Sequence, residues 1–406
     1  MCHPEPFDSL RSLRTSGVEG CEFDAIVVGL GALGSGAAYW LAKRGARVLG
    51  LEQFEFGHAR GSSHDWSRII RKSYFTPAYV RLAKEAYAAW YALEADAGEQ
   101  VVYKTGGLDL GPYDGAISLA AYADSMRTCG VDFEELDARE IRKRWPVWQI
   151  GDDVHGLFQP DSGIVAAERA TAALRRTAIA LGAELRDRAP VTAIDTNGGE
   201  IVVEAGAERY RAKKLILAGA SWTPQLLGHF GMRIPFEVTK EQVMYFKARD
   251  LDGFAFGSFP IWIWMDDPSF YGFPVFGEAG AVKITQDCGG KPVDPDTRDF
   301  EEDREITARV TEFVGRRLPA ADGPVVRLKT CLYALTPDRD FIIDTLPEFP
   351  NVSIAVGGGH GFKFASVIGR ILSDLALDGR TDSDLSALTI GRPILQMSDP
   401  PKTYML

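Results

Sequence analysis

The sequence is poor in cysteine. Its 406 residues include five cysteines, which are scattered and form no C-x-x-C pair. Cysteines of this kind are typical of a reducing compartment and argue against a disulfide framework or a cysteine zinc site. A cytoplasmic protein is therefore expected. The cysteines are Cys2, Cys21, Cys129, Cys288 and Cys331.

Positive charge is scarce relative to negative charge. The net charge is −11 and the isoelectric point is near 5.2. This balance argues against polyanionic partners such as nucleic acid, although it leaves room for a local basic site that binds a small anion. The sequence has neither an H-E-x-x-H motif nor a serine-centred elbow. It therefore predicts neither a metal ion nor a protein nucleophile.

A continuous apolar run of membrane-spanning character is also lacking. The segment Ala25–Ala42 has 18 residues without a charge, but four glycines and Ser35 lie inside it, and Asp24 and Lys43 flank it. A buried strand and helix explain this composition better than a membrane span. Acidic residues separate the segment from the basic positions ahead of it, which argues against a secretory signal. Residues 1–22 are predicted to be a mobile extension.

The sequence does contain a strand, a glycine-rich turn, a helix, a second strand and an acid between Phe23 and Phe54. The glycines of a G-x-G-x-x-G motif are Gly29, Gly31 and Gly34. They allow a tight turn, close approach of a pyrophosphate to the backbone, and packing of a helix predicted from about Ser35. Glu52 ends the second strand, where a carboxylate would bind an adenosine ribose. The pattern predicts dinucleotide binding; a glycine-rich turn in another α/β protein is the alternative.

Further along the chain, strands and helices of the same type return around an aromatic-rich segment. Residues 214–219, KLILAG, are predicted to form a buried strand. Residues 254–276 alternate aromatic and polar positions, which predicts an antiparallel sheet with one apolar face. Its rings are either ordinary core or the wall of a ligand cavity. The order of these segments predicts a dinucleotide-binding domain interrupted by an inserted domain.

Four basic residues stand where a charge needs an explanation. Arg68 and Arg71 lie on a predicted strand, Ser67–Lys72, and would serve two sides of a flat ligand or be plain surface arginines. Lys283 sits in an otherwise uncharged segment, where a lysine is costly unless it meets an anion, water or a cofactor. Lys363 follows a second glycine-rich loop at a predicted helix start, where a cation is unfavourable unless it serves an anion.

Four motifs, in this order, make the chain from Phe23 to about Pro393 resemble a known family. They are G-x-G-x-x-G with Glu52, GSSHDWSRIIR, FYGFP followed by Lys283, and C-x-Y-x-x-T-P-D with FIID and GHGFK. Together they resemble the sarcosine oxidase branch of the glycine/D-amino-acid oxidase-like flavoproteins, which also contains N-methyltryptophan oxidase and L-pipecolate oxidase. The resemblance implies FAD rather than NAD. A monomer without a membrane partner is expected, and the sequence leaves the oligomeric state open.

The resemblance also implies a mixed α/β and α+β fold. A Rossmann-like FAD-binding domain of the glutathione reductase type is expected beside an interleaved substrate domain built on an antiparallel sheet. The FAD-binding domain is expected from residues 23–105, 160–235 and 331–396, and the substrate domain from residues 106–159 and 236–330.

The family resemblance implies a flavin joined covalently to Cys331, although the residue type alone indicates a buried small hydrophobe. Such a link would hold the cofactor and raise its potential. The cofactor-binding residues that the resemblance implies are Gly29, Gly31, Gly34, Glu52, Ser62, Ser63, Arg68, Val191, Cys331, Gly359, Gly361 and Lys363.

Substrates of the family are secondary or cyclic amino acids. By resemblance, Arg71 and Lys363 match the pair that holds the substrate carboxylate, with the arginine suited to bidentate contact. Tyr271 matches a substrate contact. The implied reaction oxidises the amine to an imine, which water hydrolyses, while oxygen is reduced to hydrogen peroxide.

The resemblance assigns three further residues to the surroundings of the flavin. Arg68 and Lys283 match a basic pair on the opposite face of the ring, where a fixed positive charge assists the reduction of oxygen. His64 matches a histidine beside the flavin, and a satisfied loop histidine is its alternative.

Three departures from the family pattern bear on the substrate. Asp287 stands where the family has a histidine and is expected to tolerate or attract an extra positive group. Ser63 and His64 replace paired histidines, and the loop GGGHGFK is one residue shorter. A larger, amine-bearing, N-substituted or cyclic amino acid is thus as good a candidate as sarcosine. A flavin-dependent amino-acid dehydrogenase and a biosynthetic tailoring flavoprotein remain the alternatives, whereas Cys331 and the second glycine-rich loop disfavour an NAD-dependent dehydrogenase.

Overall fold

A computed structural model describes residues 22–196 and 199–403, so the predicted extension, residues 1–22, lies outside the described residues except for Glu22. The strands in chain order are β1 (Phe23–Val28), β2 (Val48–Leu51), β3 (Ser67–Ile70), β4 (Val102–Lys104), β5 (Gly107–Pro112), β6 (Glu134–Asp137), β7 (Val154–Gln159), β8 (Gly163–Ala166), β9 (Glu184–Arg186), β10 (Val191–Asp195), β11 (Ile201–Ala205), β12 (Glu208–Leu217), β13 (Glu237–Lys247), β14 (Ile261–Trp264), β15 (Phe270–Gly272), β16 (Ala281–Gln286), β17 (Lys291–Pro292), β18 (Val325–Leu335), β19 (Ile342–Leu346) and β20 (Phe349–Val356). The α-helices are α1 (Ala32–Lys43), α2 (Pro77–Ala97), α3 (Leu119–Thr128), α4 (Ala138–Arg144), α5 (Ala167–Ala180), α6 (Thr223–Gly228), α7 (Arg304–Arg317) and α8 (Ala365–Asp378).

The first sheet has the parallel core that the sequence predicts. Its central strands run in the order β9-β2-β1-β12-β20 and are parallel. Strand β19 joins one edge antiparallel to β20, and β10 and β11 form a meander with β12. Helix α1 packs against both α5 and α8. Strand β1 buries apolar side chains on both faces, with Ala25 and Val27 in one core cluster and Ile26 and Val28 in another, because helices and the meander cover both faces.

The second sheet is the large, mainly antiparallel one. Its strands follow the order β17-β13-β16-β15-β14-β5-β7-β6, with β18 beside β13, and only the β14–β5 pair is parallel among the described pairings. The rings of the aromatic segment form both the core and part of a cavity wall, the two alternatives that the sequence left open. Trp262 and Phe270 stack on Phe313 of α7 in the core, whereas Tyr271 faces a cavity.

A third, small sheet, β3-β8-β4, connects the other two. The expected domain division is a prediction that these sheets do not decide, but one of its boundaries falls inside an element. Residues 330 and 331 are neighbours within β18, which pairs along its length with β13. Strand β18 therefore belongs to the large antiparallel sheet, including Cys331.

Several element boundaries differ from the sequence-based prediction. Helix α1 begins at Ala32, not near Ser35, so Gly34 lies inside its first turn. The strand predicted for Ser67–Lys72 ends at Ile70, which leaves Arg71 just beyond it. The KLIL segment is the end of the longer strand β12. Each helix or strand end depends on backbone contacts with other segments, which periodicity does not record.

Thr76, Pro77 and Gly98 are residue types typical of helix ends, and helix α2 has them there. The Thr76 side chain accepts a hydrogen bond from the Tyr79 amide, a proline follows it, and Gly98 ends the helix in a left-handed conformation. Tyr91 follows the buried Tyr87 at helical spacing, but 41% of Tyr91 is exposed. In the described part of the chain, no helix is long and apolar enough to cross a membrane.

Candidate active site

The turn after β1 has no room for side chains at two of its glycines. Gly29 has a φ of +89°, and a Cβ added to it would lie 2.5 Å from the carbonyl oxygen of Ala218. A Cβ on Gly34 would lie 1.8 Å from the carbonyl oxygen of Gly29. These contacts bring strand and helix together as a dinucleotide-binding turn requires.

Glu52 at the end of β2 is buried and ionised. Its Oε2 accepts a hydrogen bond from the Leu30 amide at 2.8 Å, and its Oε1 accepts one from the Phe54 amide at 3.2 Å. Burial alone would raise the pKa of Glu52, but His58 and the two amides hold it below its ordinary value. The acid therefore connects the glycine-rich turn to the end of β2.

The loop between β2 and β3 joins this turn to β18. Ser63 Oγ accepts a hydrogen bond from the Ala32 amide at 2.9 Å, and Ser62 Oγ donates to the Leu332 carbonyl. Arg68 donates to the Ser62 carbonyl at 2.8 Å. The loop therefore spans the space between the nucleotide-binding turn and the strand that carries Cys331.

Two cavities meet at this loop, with Gly31, Ser62, Ser63, Ala218 and Ala220 lining both. The first cavity, next to β1 and β2, is also lined by the predicted residues Gly29, Glu52, His64 and Val191. The second, of about 240 Å³, is also lined by the predicted residues Arg68, Arg71, Tyr271, Asp287, Cys331, Gly359, Gly361 and Lys363. Of the predicted residues, Gly34 and Lys283 line neither of these two cavities in the described chain.

His64 is buried in the wall of the first cavity. Burial, together with the positive charge of Arg68, lowers the pKa of His64 to about 3. Its ring is therefore neutral, and within the described chain its Nε2 has no hydrogen-bond partner. An unpaired polar atom at a buried position indicates a ligand or water beside it.

Cys331 lies on β18 opposite Glu241 of β13 and lines the second cavity. Burial raises the pKa of the Cys331 thiol to about 11. The thiol is therefore protonated near neutral pH, as a buried small side chain would be. Cys288 lines the same cavity, so this cavity contains two cysteines.

Two buried cations stand together in the second cavity. Arg71 donates from Nη1 to Asp109 Oδ1 at 2.9 Å, whereas its Nε has no partner among the described residues. Lys363 donates to the His360 carbonyl at 3.1 Å. Burial, and next the positive charge of Arg71, hold the pKa of Lys363 well below its ordinary value. An anion bound between them would stabilise both positive charges.

An ion pair forms another part of the wall. Arg339, 1% exposed, donates from Nη1 and Nη2 to the two carboxylate oxygens of Asp287 at 2.8 and 2.9 Å. Tyr333 donates to Asp287 at 3.1 Å. The charge of Asp287 is therefore balanced inside the protein. This pairing removes the reason for expecting Asp287 to attract an amine-bearing substrate.

Lys283 lies behind the cavity wall on β16. Its ammonium group donates to Asp65 Oδ2 at 2.7 Å and to the Ser67 carbonyl at 3.1 Å. The negative charge that a buried Lys283 was expected to need is therefore supplied by Asp65.

Sequence reasoning missed four residues of the site: Asp65, Asp109, Tyr333 and Arg339. Asp109 had a signal, because it is an acid within the apolar segment GLDLG, and Tyr333 lies inside the quoted C-x-Y motif. Asp65 lies inside the GSSHDWSRIIR motif, and Arg339 directly follows the C-x-Y-x-x-T-P-D motif. Among residues 22–196 and 199–403, no group of three or more histidine, cysteine, aspartate or glutamate residues could hold a metal ion.

The fold and site define an oxidoreductase that uses FAD. Residues 24–375 match the family DAO, FAD dependent oxidoreductase, and the chain belongs to this family. The predicted mixed fold with a Rossmann-like domain is confirmed, as is the resemblance to its sarcosine oxidase branch.

Its relatives include named oxidases of N-methylated amino acids. The chain is 35% identical to monomeric sarcosine oxidase from Bacillus sp. (strain B-0618), over 93% of this chain and 97% of the relative. It is 34% identical to human peroxisomal sarcosine oxidase, over 91% and 96% of the two chains. It is 31% identical to N-methyl-L-tryptophan oxidase from Yersinia pestis, over 91% and 99%.

Solved structures agree with this placement. NikD, an unusual amino acid oxidase essential for nikkomycin biosynthesis, superposes with a TM-score of 0.81 at 29% identity, over 90% of this chain and 97% of NikD. L-proline dehydrogenase from P. horikoshii shares the fold with a TM-score of 0.80 at 24% identity, over 90% and 96% of the two chains.

The described residues fit FAD in three respects. The two cavities are adjacent and share Gly31 and Ser63 in their walls, as the binding of one elongated ligand would require. Gly31 leaves the backbone bare at the junction, where an added Cβ would lie 3.1 Å from Ser63 Oγ. The buried and unpaired Nε2 of His64 lies in the wall of the first cavity.

Proposed function

We propose that the protein is an amine oxidase that acts on a secondary amino acid, either N-methylated or cyclic. The observation that carries this proposal is the pair Arg71 and Lys363, buried in the cavity that adjoins the dinucleotide turn. The names of the relatives, sarcosine oxidase and N-methyl-L-tryptophan oxidase, support the same substrate class.

The charges of the cavity favour one carboxylate. Arg71 is paired with Asp109 and Arg339 with Asp287. Lys363 has no carboxylate within ion-pair distance in the described part of the chain, and its donor contact is a carbonyl. Of these three cations, Lys363 is the one whose charge, when it is protonated, is available to the acid group of a substrate.

In this mechanism the residues hold and orient the substrate. Arg71 and Lys363 bind the carboxylate, and Tyr271 faces the same space as a neutral phenol, because burial raises its pKa. The C–H bond beside the amine nitrogen breaks with loss of a hydride equivalent, and water hydrolyses the resulting imine to an amine and an aldehyde or keto acid. Bound FAD supplies the acceptor for the two electrons, and oxygen takes up two electrons and two protons to become hydrogen peroxide.

We propose that Lys283 and Arg68 assist the reduction of oxygen by their positive charge. Lys283 is enclosed behind the cavity wall with one of its three donors lacking an acceptor among the described residues. Lys283→Met is expected to slow reoxidation of the reduced enzyme by oxygen. A dehydrogenase that passes electrons to a carrier would instead react with oxygen equally slowly with or without the lysine.

The substrate class is tested by measuring peroxide release with a panel of N-methylated and cyclic amino acids. The control compounds are the same amines without the carboxylate. We expect release with at least one amino acid and with none of the controls. Inactivity with every member of the panel contradicts the oxidase assignment.

We propose that the flavin is joined covalently to Cys331. The cysteine lies in the wall of the second cavity, and Cys288 of the same cavity provides a matched control. The wild type and a Cys288→Ser variant are expected to keep their yellow colour in the pellet after acid precipitation, whereas Cys331→Ser is expected to release it. Release of the pigment from the wild type contradicts the link.

We further propose a monomer that works in the cytoplasm. The bacterial relatives named monomeric sarcosine oxidase support the first point, and the scattered cysteines of the sequence support the second. Light scattering on the purified enzyme tests the oligomeric state, since a dimer mass contradicts the proposal.

A further inference from the structure

The enclosed partner of Lys283 is Asp65, an acid in the loop before β3. Lys283 is 2% exposed and Asp65 is 1% exposed. The ammonium group donates to Asp65 Oδ2 at 2.7 Å and to the Ser67 carbonyl at 3.1 Å. The ammonium group also lies 4.9 Å from the centre of the Phe273 ring.

Asp65 is itself held in one orientation. Tyr245 Oη donates to both of its carboxylate oxygens, at 2.8 and 2.9 Å. The Asp65 amide donates to Glu168 Oε1 at 2.8 Å. Its φ of +88° lies in a region that side chains seldom adopt. The surroundings therefore fix both the backbone and the carboxylate of this residue.

Three cations share the Asp65 carboxylate. Besides Lys283, Lys329 Nζ lies 3.2 Å from Oδ1 and Arg68 Nη1 lies 3.7 Å from Oδ2. The titratable and charged groups facing the pair are His64 and Arg68 from the loop and β3, Glu168 from α5, Tyr245 from β13, and Lys329 and Cys331 from β18. Without Asp65, the Lys283 ammonium would be buried beside other positive charges, which favours the neutral amine.

We propose that Asp65 is a positioning residue whose carboxylate keeps Lys283 protonated and oriented, so that this lysine presents its positive charge to oxygen at neutral pH. The inference rests on the proposed role of Lys283 in the oxygen reaction.

The pKa values agree with this geometry. Burial lowers the pKa of Lys283 to about 8, although Asp65 opposes the decrease. Burial alone would raise the pKa of Asp65, but Lys283 and Arg68 hold it well below its ordinary value. The aspartate is thus ionised at every pH at which Lys283 titrates, and its removal leaves the lysine with burial and like charges alone.

The test compares the wild type with Asp65→Asn, which keeps the side-chain shape and tolerates a positive φ. The pKa of Lys283 is measured by NMR of protein labelled at the lysine Cε, with its signal assigned by its loss in Lys283→Met. Reoxidation of the reduced enzyme by oxygen is measured across the same pH range. In Asp65→Asn, we expect the Lys283 pKa and the alkaline decline of reoxidation to move down together by about one pH unit or more.

A matched control is Asp161→Asn, which removes an acid paired with Lys72 and Lys104 at partly exposed positions. It is expected to leave both measurements unchanged. If Asp65→Asn does not fold, Lys329→Met provides a second variant at a partly exposed position. Loss of that neighbouring cation is expected to raise the Lys283 pKa.

The outcomes separate this inference from the proposed function. An unchanged Lys283 pKa in Asp65→Asn, or in Lys329→Met if only that variant folds, overturns the inference alone. A shifted pKa with an unchanged oxygen profile also overturns it. Reoxidation of Lys283→Met at the wild-type rate contradicts the proposed oxygen chemistry, while the NMR measurement still reports whether Asp65 sets the protonation of Lys283. A double variant that behaves as Lys283→Met supports the inference, because Asp65 then acts through the lysine.

Discussion

The cations of the second cavity differ in how their charges are balanced. Arg71 and Arg339 each have a carboxylate partner at hydrogen-bond distance, whereas Lys363 donates to a carbonyl. Burial alone would lower the pKa of Arg71, but Asp109 holds it above its ordinary value. Arg71 therefore stays positively charged. The lowered pKa of Lys363 means that a carboxylate bound beside it favours its protonated form.

Asp109→Asn tests the balance at Arg71. The amide keeps the shape but leaves a buried guanidinium without its counter-ion, so the free energy of unfolding is expected to fall by about 3 kcal/mol. A simple carboxylate ligand is expected to stabilise this variant more than the wild type, as measured by denaturant unfolding with and without the ligand.

The control for this change is Asp152→Asn, which removes an exposed partner of Arg142. Exposed pairs contribute less than about 1 kcal/mol, so this variant is expected to unfold nearly as the wild type does. Equal free energies of unfolding for Asp109→Asn and Asp152→Asn would contradict the expected contribution of the Arg71–Asp109 pair to stability.

Lys363 predicts a pH dependence of carboxylate binding. Because its pKa is lowered, its amine becomes neutral as the pH rises through that value, whereas a bound carboxylate favours the protonated form. The dissociation constant of a simple carboxylate without an amine is therefore expected to rise with pH, by up to about tenfold per pH unit above the pKa of Lys363. The flavin difference spectrum measures it. Lys363→Met should remove the dependence, and a wild-type constant that falls with pH contradicts the role.

At this scale the sequence pointed to Arg71 and Lys363, which line the second cavity, but missed Arg339 and the partner of Arg71. Arg71 and Lys363 belong to motifs, so they were placed in the site from the sequence. Asp109 and Arg339 approach Arg71 and Asp287 from segments that are distant in the chain. Local spacing does not record such pairs, because the fold alone brings them together.

Among the elements, the turn between β1 and α1 depends most on single residues. A Cβ at Gly34 would overlap the Gly29 carbonyl oxygen, so Gly34→Ala is expected to disrupt the turn and lower the flavin content per chain. The measurements are the flavin absorbance per protein and the unfolding curve.

Gly315→Ala is the matched control for that variant. Gly315 is also helical, on α7, but nothing lies within 4 Å of an added Cβ. Alanine at such a position is expected to stabilise the helix by about 0.5–1 kcal/mol and to leave the flavin content unchanged. Normal flavin content in Gly34→Ala would contradict the packing role of that glycine.

Elements with local signals were predicted well, and elements defined by pairing were not. The strand, turn and helix of the dinucleotide motif and the caps of α2 follow from neighbouring residues. Strand β18 is one continuous element because β13 pairs along its length. The expected domain boundary between residues 330 and 331 was placed at the start of the motif that begins at Cys331. That motif gives no sign that β18 pairs with β13.

Across the whole molecule, the site depends on contacts between the two large sheets. The loop between β2 and β3 donates to β18 through Ser62, and Arg298 donates to Thr330 and to the Arg60 carbonyl at 2.8 and 2.9 Å. These bonds hold the loop against the antiparallel sheet. These bonds explain how the glycine-rich turn and the second cavity lie next to each other although they are built on different sheets.

The order of strands within those sheets was beyond the sequence. Motif order indicated two interleaved domains and the family, but β14 pairs with β5 across a long stretch of intervening chain. That parallel pairing carries the aromatic segment to the wall of the second cavity. A relation of this kind depends on tertiary packing, which hydrophobic periodicity does not report.

The central claim is that the enzyme oxidises an amino acid whose carboxylate is held by Arg71 and Lys363. The most direct measurement is the bleaching of the flavin, without oxygen, by an N-methyl amino acid and by the same amine lacking the carboxylate. We expect rapid bleaching by the amino acid, little by the amine, and loss of this preference in Lys363→Met. Equal bleaching by both compounds in the wild type, or none by any secondary amino acid, contradicts the claim.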